Sequence, residues 1–287
     1  MPTDLPIAVT GATGTVGRAL VAALLDGGHR VRALVRDPET SRFADADGLE
    51  LVRADLTDPS TVAAAARGCE AVFLVWPFVK ADGAEETVAA LVEAGIRRIA
   101  YLSSVVADDD PSRPDGAVEK LVEQAVPDWT FLRPHGFMAN AWHWMADLRA
   151  GESVQAAYGA AATAPIHEAD LAAVAALALT EPHHSGRRYV LTGPAVITQA
   201  EQLAALAEAT GLPLSWEELS PAAARERMRA VGRPPQVVDK VLDYQARRVQ
   251  FPEEVLPTLA ELTGRPGRTF ATWAAEHTPA LRAALKG

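Results

Sequence analysis

What the sequence has little of bounds it first. It carries one cysteine, Cys69, among 287 residues, so no disulfide can form within the chain. A reducing, cytoplasmic setting is the default expectation for such a chain. Although 49% of the residues are hydrophobic, no run approaches the roughly 18 to 20 uncharged apolar residues of a membrane helix. Met1 to Asp4 holds no basic residue and leads into a turn, so no secretory signal is expected. Positive charge is not in excess: 27 Lys and Arg face 37 Asp and Glu, a net charge of −10. That argues against a general nucleic-acid surface, which needs clustered cations to displace phosphate counterions. A nucleotide-sized ligand needs only one or two arginines and stays allowed. No Gly-x-Ser-x-Gly elbow is present, which leaves a serine hydrolase without support. His167-Glu168 lacks the second histidine of a zinc-protease helix, and His183-His184 lacks a companion ligand at metal spacing, so no metal is expected.

What is there is an alternation. Apolar strand patterns fall at 5–10, 30–35, 49–53, 71–76, 98–103 and 129–133. Helical patterns separate them at 15–27, from Asp58 to Ala66, at 82–95 and at 116–125. Strands apolar on both faces, joined by helices, predict βαβ units and a doubly wound parallel sheet, a Rossmann-type α/β fold. The second half is mainly helical, with patterns near 137–149, 168–180, 198–210, 220–231, 234–247, 253–262 and 268–285. Two short strands interrupt it near 187–192 and 214–218. The expected division is a dinucleotide-binding domain over 1–150 and a smaller, mainly helical substrate or lid region over 151–287. The strand near 187–192 is free to rejoin the first sheet.

The chemistry-bearing motif is VTGATGTVGR, where the first strand meets the first helix. Gly11 permits the tight turn, Gly14 lets a pyrophosphate approach the backbone, and Gly17 lets the helix pack closely on the sheet. The helix start then offers free N–H groups and a partial positive charge to phosphates. Thr13, Thr15, Val16 and Arg18 complete this candidate loop. The second strand ends in Arg36, which can pair with a 2′-phosphate, helped by Arg18, so NADP(H) is the expected cofactor. The alternative has Arg36 solvated and Asp37 on the ribose. Asp55 and Leu56, after the third strand, fit an adenine contact, and Trp76 and Pro77 end the fourth strand beside the expected nicotinamide half.

TGATGTVGR, LVRDP, ADLTD, YLSS and WTFLRPHGFMAN, in this order and spacing, together with PIHEADLAAVA, resemble the NmrA-like atypical short-chain dehydrogenase/reductases. The resemblance covers nearly the whole chain and is more specific for the fold than for the reaction. It implies an NAD(P)H-dependent reductase of quinones, dyes or aromatic natural products, or else a non-catalytic dinucleotide sensor that recruits a protein partner. A third possibility keeps the cofactor as scaffold for an isomerisation or cyclisation. Ser103, Ser104 and Pro134, at the ends of the fifth and sixth strands, fall where the family contacts nicotinamide or substrate.

Short-chain dehydrogenases pair a catalytic Tyr with a Lys four residues on. Here the residues four beyond Tyr101, Tyr158, Tyr189 and Tyr244 are Val105, Ala162, Gly193 and Arg248. Counting back from WTFLRP puts Asp115 in the Lys slot and Pro111 in the Tyr slot. The dyad is absent, which disfavours simple ketones and leaves conjugated acceptors. Candidate replacements are Ser103, His135 as a proton donor near neutral pH, and Asp115, which reads equally as a helix N-cap. Trp76, Phe78, Phe137, Met138, Trp142 and Trp144 are candidates for an aromatic acceptor pocket. The alternative buries Phe137, Trp144 and Leu148 as the core stripe of helix 137–149. Phe78, Phe137, Met138 and Trp142 are the expected substrate contacts, with Trp142 off that stripe.

Overall fold

The computed structural model describes residues 5–41, 43–107, 113–151 and 153–286. Its elements are β1 (Ile7–Val9), α1 (Thr15–Asp26), β2 (Val31–Val35), β3 (Leu49–Arg53), α2 (Pro59–Ala66), β4 (Ala71–Val75) and α3 (Ala84–Glu93). There follow β5 (Arg98–Leu102), α4 (Pro114–Ala125), β6 (Asp128–Pro134), α5 (Met145–Gly151), β7 (Ser153–Ala156), β8 (Ala162–Thr163), α6 (Glu168–Thr180) and β9 (Arg187–Leu191). The last part holds β10 (Ile197–Thr198), α7 (Gln199–Thr210), β11 (Ser215–Glu218), α8 (Pro221–Ala230), α9 (Pro235–Gln250), α10 (Thr258–Thr263) and α11 (Phe270–Lys286).

Two compact units emerge. The first comprises Met1–Pro134, Glu168–Leu191 and Glu261–Gly264, and the second His135–His167, Thr192–Ala260 and Arg265–Gly287. The chain therefore leaves the first unit at Pro134 rather than at residue 150, and returns for α6 and β9. The expected return of the strand near 187–192 is met by β9, which pairs with β6 in parallel.

The first unit is the doubly wound sheet that the alternation predicts. All its pairings are parallel, in the order β3-β2-β1-β4-β5-β6-β9. The period-two alternation of strands sorts the side chains onto two buried faces. Ala8, Val72, Leu74, Ile99, Tyr101 and Phe131 point to one side, where Val62, Val88, Leu91, Val118 and Val122 of α2, α3 and α4 cover them. Helix α1 packs against α6. Asp58 caps α2 through the N–H of Ser60, as its position before the apolar stripe predicts.

The second unit departs more from expectation. The predicted helix over 137–149 is a 3-10 segment, Met138–Trp144, that becomes α-helical only from Met145. The chain is held extended at its entry: Met138 N–H donates to Ile166 O and Ile166 N–H to Gly136 O. The helical pattern over 253–262 forms only as α10, because Glu253 N–H is drawn to Ala162 O and Pro257 disfavours helix before it. Strands β7, β8 and β10 were not predicted; β7 pairs with β11 and β8 with β10. They are too short for a periodicity to register. α7 carries a capping box between Thr198 and Glu201, and its two side chains satisfy the helix start reciprocally.

One ion pair anchors the far side of the sheet in the first unit. Arg133, near the end of β6, donates to both carboxylate oxygens of Glu119 on α4, at 2.8 and 2.5 Å, and both residues are buried. Removing one partner leaves the other charge buried and uncompensated. Glu119→Ala is expected to destabilise the protein by about 3–5 kcal/mol, read as a lower denaturation midpoint in urea. An apolar replacement of both residues is expected to recover much of that loss.

Candidate functional site

The glycine loop in the first unit is shaped by close contacts. Gly11 sits at φ +59, a left-handed conformation that disfavours a side chain. A Cβ at Gly17 would lie 2.2 Å from the Gly11 carbonyl oxygen, so only glycine lets α1 approach the strand end this closely. Gly14 is the N-cap of α1, with no side chain capping it and no acidic residue in the first turn. Helix geometry leaves the first-turn N–H groups of Thr15, Val16 and Gly17 without intrahelical partners. The loop thus offers an anion a row of donors and the positive end of the helix dipole. Arg18 ties the loop to its surroundings by donating to Thr13 O and Ser41 O, with its guanidinium over Phe43.

The acid that could have taken a ribose is engaged elsewhere. Asp37 accepts from Glu39 N–H and Thr40 Oγ1 and lies 3.5 Å from Arg53. Arg36 beside it is exposed. Asp55 closes a local turn, accepting the N–H and hydroxyl of Thr57, and these bonds hold its carboxyl below the usual range. Asp55 itself is half-buried. Leu56 packs on the apolar cluster and accepts the Thr87 hydroxyl at its carbonyl.

Ser103 follows β5 and is buried, yet its Oγ has no hydrogen-bond partner among the described residues. A buried hydroxyl without a partner costs stability unless a ligand supplies one. Ser104 instead serves its own turn, with Ala107 N–H donating to its carbonyl. The glycine cradle, the uncapped helix start and this orphaned hydroxyl fit a bound dinucleotide.

Several expected roles are corrected. Trp76 is not a free platform: its ring lies in the apolar cluster, its indole N–H donates to Lys80 O, and Phe78 packs edge-on to it at 4.9 Å. Asp115 is not the N-cap of α4. Arg113 holds that position and Pro114 begins the helix, as its fixed φ favours. Asp115 falls in the first turn, 3.5 Å from the Arg113 guanidinium. Pro111 lies outside the described residues. Tyr101 is fully buried, and burial, with the charges of Asp115 and Glu119, pushes its phenol far above the ordinary value. His183-His184 does have a companion: Glu181 brings its carboxylate beside both rings.

In the second unit, Trp142 packs edge-on to Trp273 and His277 within that unit's apolar cluster. In a 3-10 turn residues three apart eclipse, so Met138 and Ala141 share the buried row and Trp142 is turned onto Trp273. Trp144 joins the same cluster beside Trp216. Phe137 is half-buried and bridges to Ile166. Met138 borders a cavity of about 370 Å³ walled by Pro165, Val196, Ile197, Ala205 and Phe270.

His135 is also in the second unit, with its Nδ1 3.0 Å from Glu253 Oε1. Glu253 is buried and accepts Ala164 N–H at 2.8 Å and the Tyr244 hydroxyl at 2.5 Å, with Arg248 Nε 3.7 Å away. Burial pushes its carboxyl up, but the contacts from His135, Ala164 and Tyr244 outweigh that and hold it below the ordinary value. The sequence reading missed Glu253. Its only local signal was an acid inside a weak helical pattern, and the contact that gives it meaning joins distant parts of the chain.

Comparison with known proteins places these features in context. Residues 11–182 match the family model described as NAD(P)H-binding. The (4-alkanoyl-5-oxo-2,5-dihydrofuran-3-yl)methyl phosphate reductase of Streptomyces griseus is 40% identical, over 96% of this chain and 99% of its own. The NAD(P)H azoreductase of Xenophilus azovorans is 32% identical, over 97% and 100%. Among solved structures, the NADPH-dependent quinone oxidoreductase QOR2 of Escherichia coli complexed with NADPH superposes with a TM-score of 0.79 at 27% identity. That match covers 94% of this chain and 99% of QOR2.

Two outcomes follow from the geometry. Gly17→Ala forces the helix start off the strand end, and is expected to cost about 1–3 kcal/mol of stability. The same change weakens NADPH binding, read by fluorescence titration. Glu253, with its folded pKa below the ordinary 4.5, contributes stability that is complete above that value and lost as pH falls through the folded pKa. Glu253→Gln is expected to flatten the stability-against-pH curve below about pH 4.5, measured by denaturation at a series of acid pH values.

Proposed function

The chain belongs to the NAD(P)H-binding family, and from that premise we propose that it is an NADP(H)-dependent reductase of a quinone or an aromatic, natural-product-like acceptor. It works without a Tyr-x-x-x-Lys pair. The observation that carries this reading is the ligand-ready pair in the first unit: an uncapped helix start over Gly11–Gly17 and the buried, unpartnered hydroxyl of Ser103. The relatives add the reaction class. Azo, quinone and acyl-furanone acceptors are conjugated, so charge arriving with a hydride spreads over a π-system and a strongly positioned acid is less necessary.

The roles divide by chemistry. Gly11, Thr13, Gly14, Thr15, Val16 and Gly17 hold the pyrophosphate with backbone N–H groups. Arg36 and Arg18 neutralise the 2′-phosphate, a reading supported by the engagement of Asp37 in its own turn. Asp55 and Leu56 receive the adenine. The backbone at Trp76 and Pro77, with Ser103 and Pro134, lines the nicotinamide side, and Ser103 Oγ supplies a hydrogen bond to it. The bound dinucleotide supplies the hydride, and the protein orients it and excludes water. His135, with its Nδ1 3.0 Å from Glu253 Oε1, delivers the accompanying proton from its other ring nitrogen. Asp115, engaged by Arg113, is left out of the proton path. Phe137 and Met138 receive the acceptor's apolar body, and the apolar cavity beside Met138 suits such a group. Phe78 in the first unit and Trp142 in the second stay candidate substrate contacts, each within its own packed cluster. No helix among the described residues is long and apolar enough to cross a membrane, and the lone buried Cys69 suits a reducing cytoplasm.

The test is loss of NADPH absorbance, and separately of NADH absorbance, over a panel of quinones, azo dyes and acyl-furanones. Turnover that needs both protein and acceptor and runs faster with NADPH is expected. Tight NADPH binding without turnover on any acceptor would favour a sensor or a non-redox scaffold instead. Arg36→Ala is expected to raise the KM for NADPH by about 10- to 100-fold, with little effect on NADH. His135→Phe is expected to lower kcat by about 100-fold while leaving cofactor affinity in place.

A further inference from the structure

The connection from α6 to β9 holds a group of side chains that the reductase reading does not use. Glu181, His183 and His184 each present one donor atom, and the three atoms lie within 4.8 Å of one another. His183 Nε2 is 3.1 Å and His184 Nε2 3.5 Å from the same oxygen, Glu181 Oε2. A tetrahedral ion with bonds of about 2.0–2.1 Å sets its ligands about 3.3 Å apart. The two measured separations bracket that spacing.

His184 carries the argument further. Its side chain is 4% exposed, and its Nε2 is buried without a hydrogen-bond partner. That nitrogen faces the Glu181 carboxylate, at a distance too long for a good hydrogen bond. The other ring nitrogen, Nδ1, is 2.8 Å from the Tyr189 hydroxyl. Thr130 Oγ1 donates to the His184 carbonyl at 2.8 Å, which fixes the backbone as well. A ring gripped at Nδ1 with Nε2 left to a ligand is the arrangement that metal-bound histidines show, the outer partner setting the tautomer and the ring's orientation.

We propose that Glu181, His183 and His184 form a binding site for a divalent cation of borderline softness, Zn²⁺ foremost, at the junction of α6 and β9. Two imidazoles and one carboxylate are a nitrogen-rich donor set suited to Zn²⁺ and poorly suited to Mg²⁺ or Ca²⁺. Water completes the shell on the exposed side of His183, which is also the entry path. The site lies where β9 begins, whereas the glycine loop follows the end of β1. In a parallel sheet these are opposite edges, so the ion takes no part in hydride transfer. Its effect is to clamp the turn that delivers β9 to the sheet edge beside β6.

The experiment uses the full chain, free of any affinity tag and stripped with a chelator. Zn²⁺ is titrated calorimetrically, and Co²⁺ is followed by its visible absorption. One ion per chain is expected, with a rise in Tm on Zn²⁺ addition. His183→Gln is the decisive variant, since that side chain is 68% exposed and its loss leaves the fold intact. It is expected to weaken Zn²⁺ by about 10- to 100-fold or more, to abolish the Co²⁺ band, and to keep the metal-free Tm. Glu181→Gln and His184→Gln should act alike, and His29→Gln, remote in sequence, should change nothing. Wild-type protein that binds no Zn²⁺, or binds it as tightly after His183→Gln, overturns the proposal. NADPH turnover is unaffected by either result, so this test stands apart from the reductase reading.

Discussion

The carbonyl oxygen of Gly11 stands 2.2 Å from where a side chain at Gly17 would begin. That single approach fixes how α1 leaves the sheet, and much of the first unit depends on it. Because the helix starts directly over the end of β1, its free N–H groups collect at one point beside the exposed loop of Thr13 to Thr15. β1 lies between β2 and β4, where the order of the sheet reverses. The helices after β1 and β4 therefore pack on opposite faces, α1 with α6 and α3 with α2 and α4, and such a switch point is where open α/β sheets bind ligands. Arg18 braces the loop through Thr13 and Ser41, so the anion site is organised before any anion arrives. A preorganised site costs less to fill than one that must be ordered by its ligand.

Two buried carboxylates show how burial separates a structural acid from one with chemical reach. Glu119 is closed off: Arg133 occupies both of its oxygens, and Arg188 lies over Trp129 and Phe131 nearby. A saturated fork of this kind has no capacity left for a substrate, and its contribution is to lock α4 to β6. Glu253 also has its oxygens engaged, by a backbone N–H, a tyrosine hydroxyl and an imidazole. The difference lies in the last partner. A carboxylate beside an imidazole fixes the orientation of the ring.

The fold was legible where periodicity runs long enough to be read. β1 to β6 and their helices follow from apolar runs and turn residues, and the glycine loop was recognisable because a strand precedes it and a helix follows. Legibility failed where the deciding contact is remote in sequence. Nothing local marks Glu253 as the partner of His135. Glu181 was overlooked for another reason: it stands two and three residues from His183 and His184, and only the conformation of that short turn brings its carboxylate to both rings. The 3-10 form of Met138–Trp144 was likewise invisible, because the tether that imposes it is the pairing of Gly136 and Met138 with Ile166. A helical wheel puts Trp142 off the buried stripe, whereas the three-residue turn packs it edge-on to Trp273.

The missing Tyr-Lys pair constrains the chemistry more than any residue that is present. Tyr101 cannot substitute, since it is enclosed in the core and its phenol is pushed upward by burial and two neighbouring carboxylates. Asp115 cannot play the lysine's part either, because a carboxylate raises a neighbouring phenol's pKa where an ammonium lowers it. An isolated ketone needs its oxygen protonated as hydride arrives, and without a strong donor the alkoxide charge stays localised on one atom. A quinone, an azo bond or an enone distributes the same charge over several atoms, so protonation can follow hydride arrival at lower cost. A weak donor is adequate for that sequence of events, which is the part proposed for His135. The absence of the dyad thus selects conjugated acceptors on chemical grounds, independently of what any relative reduces.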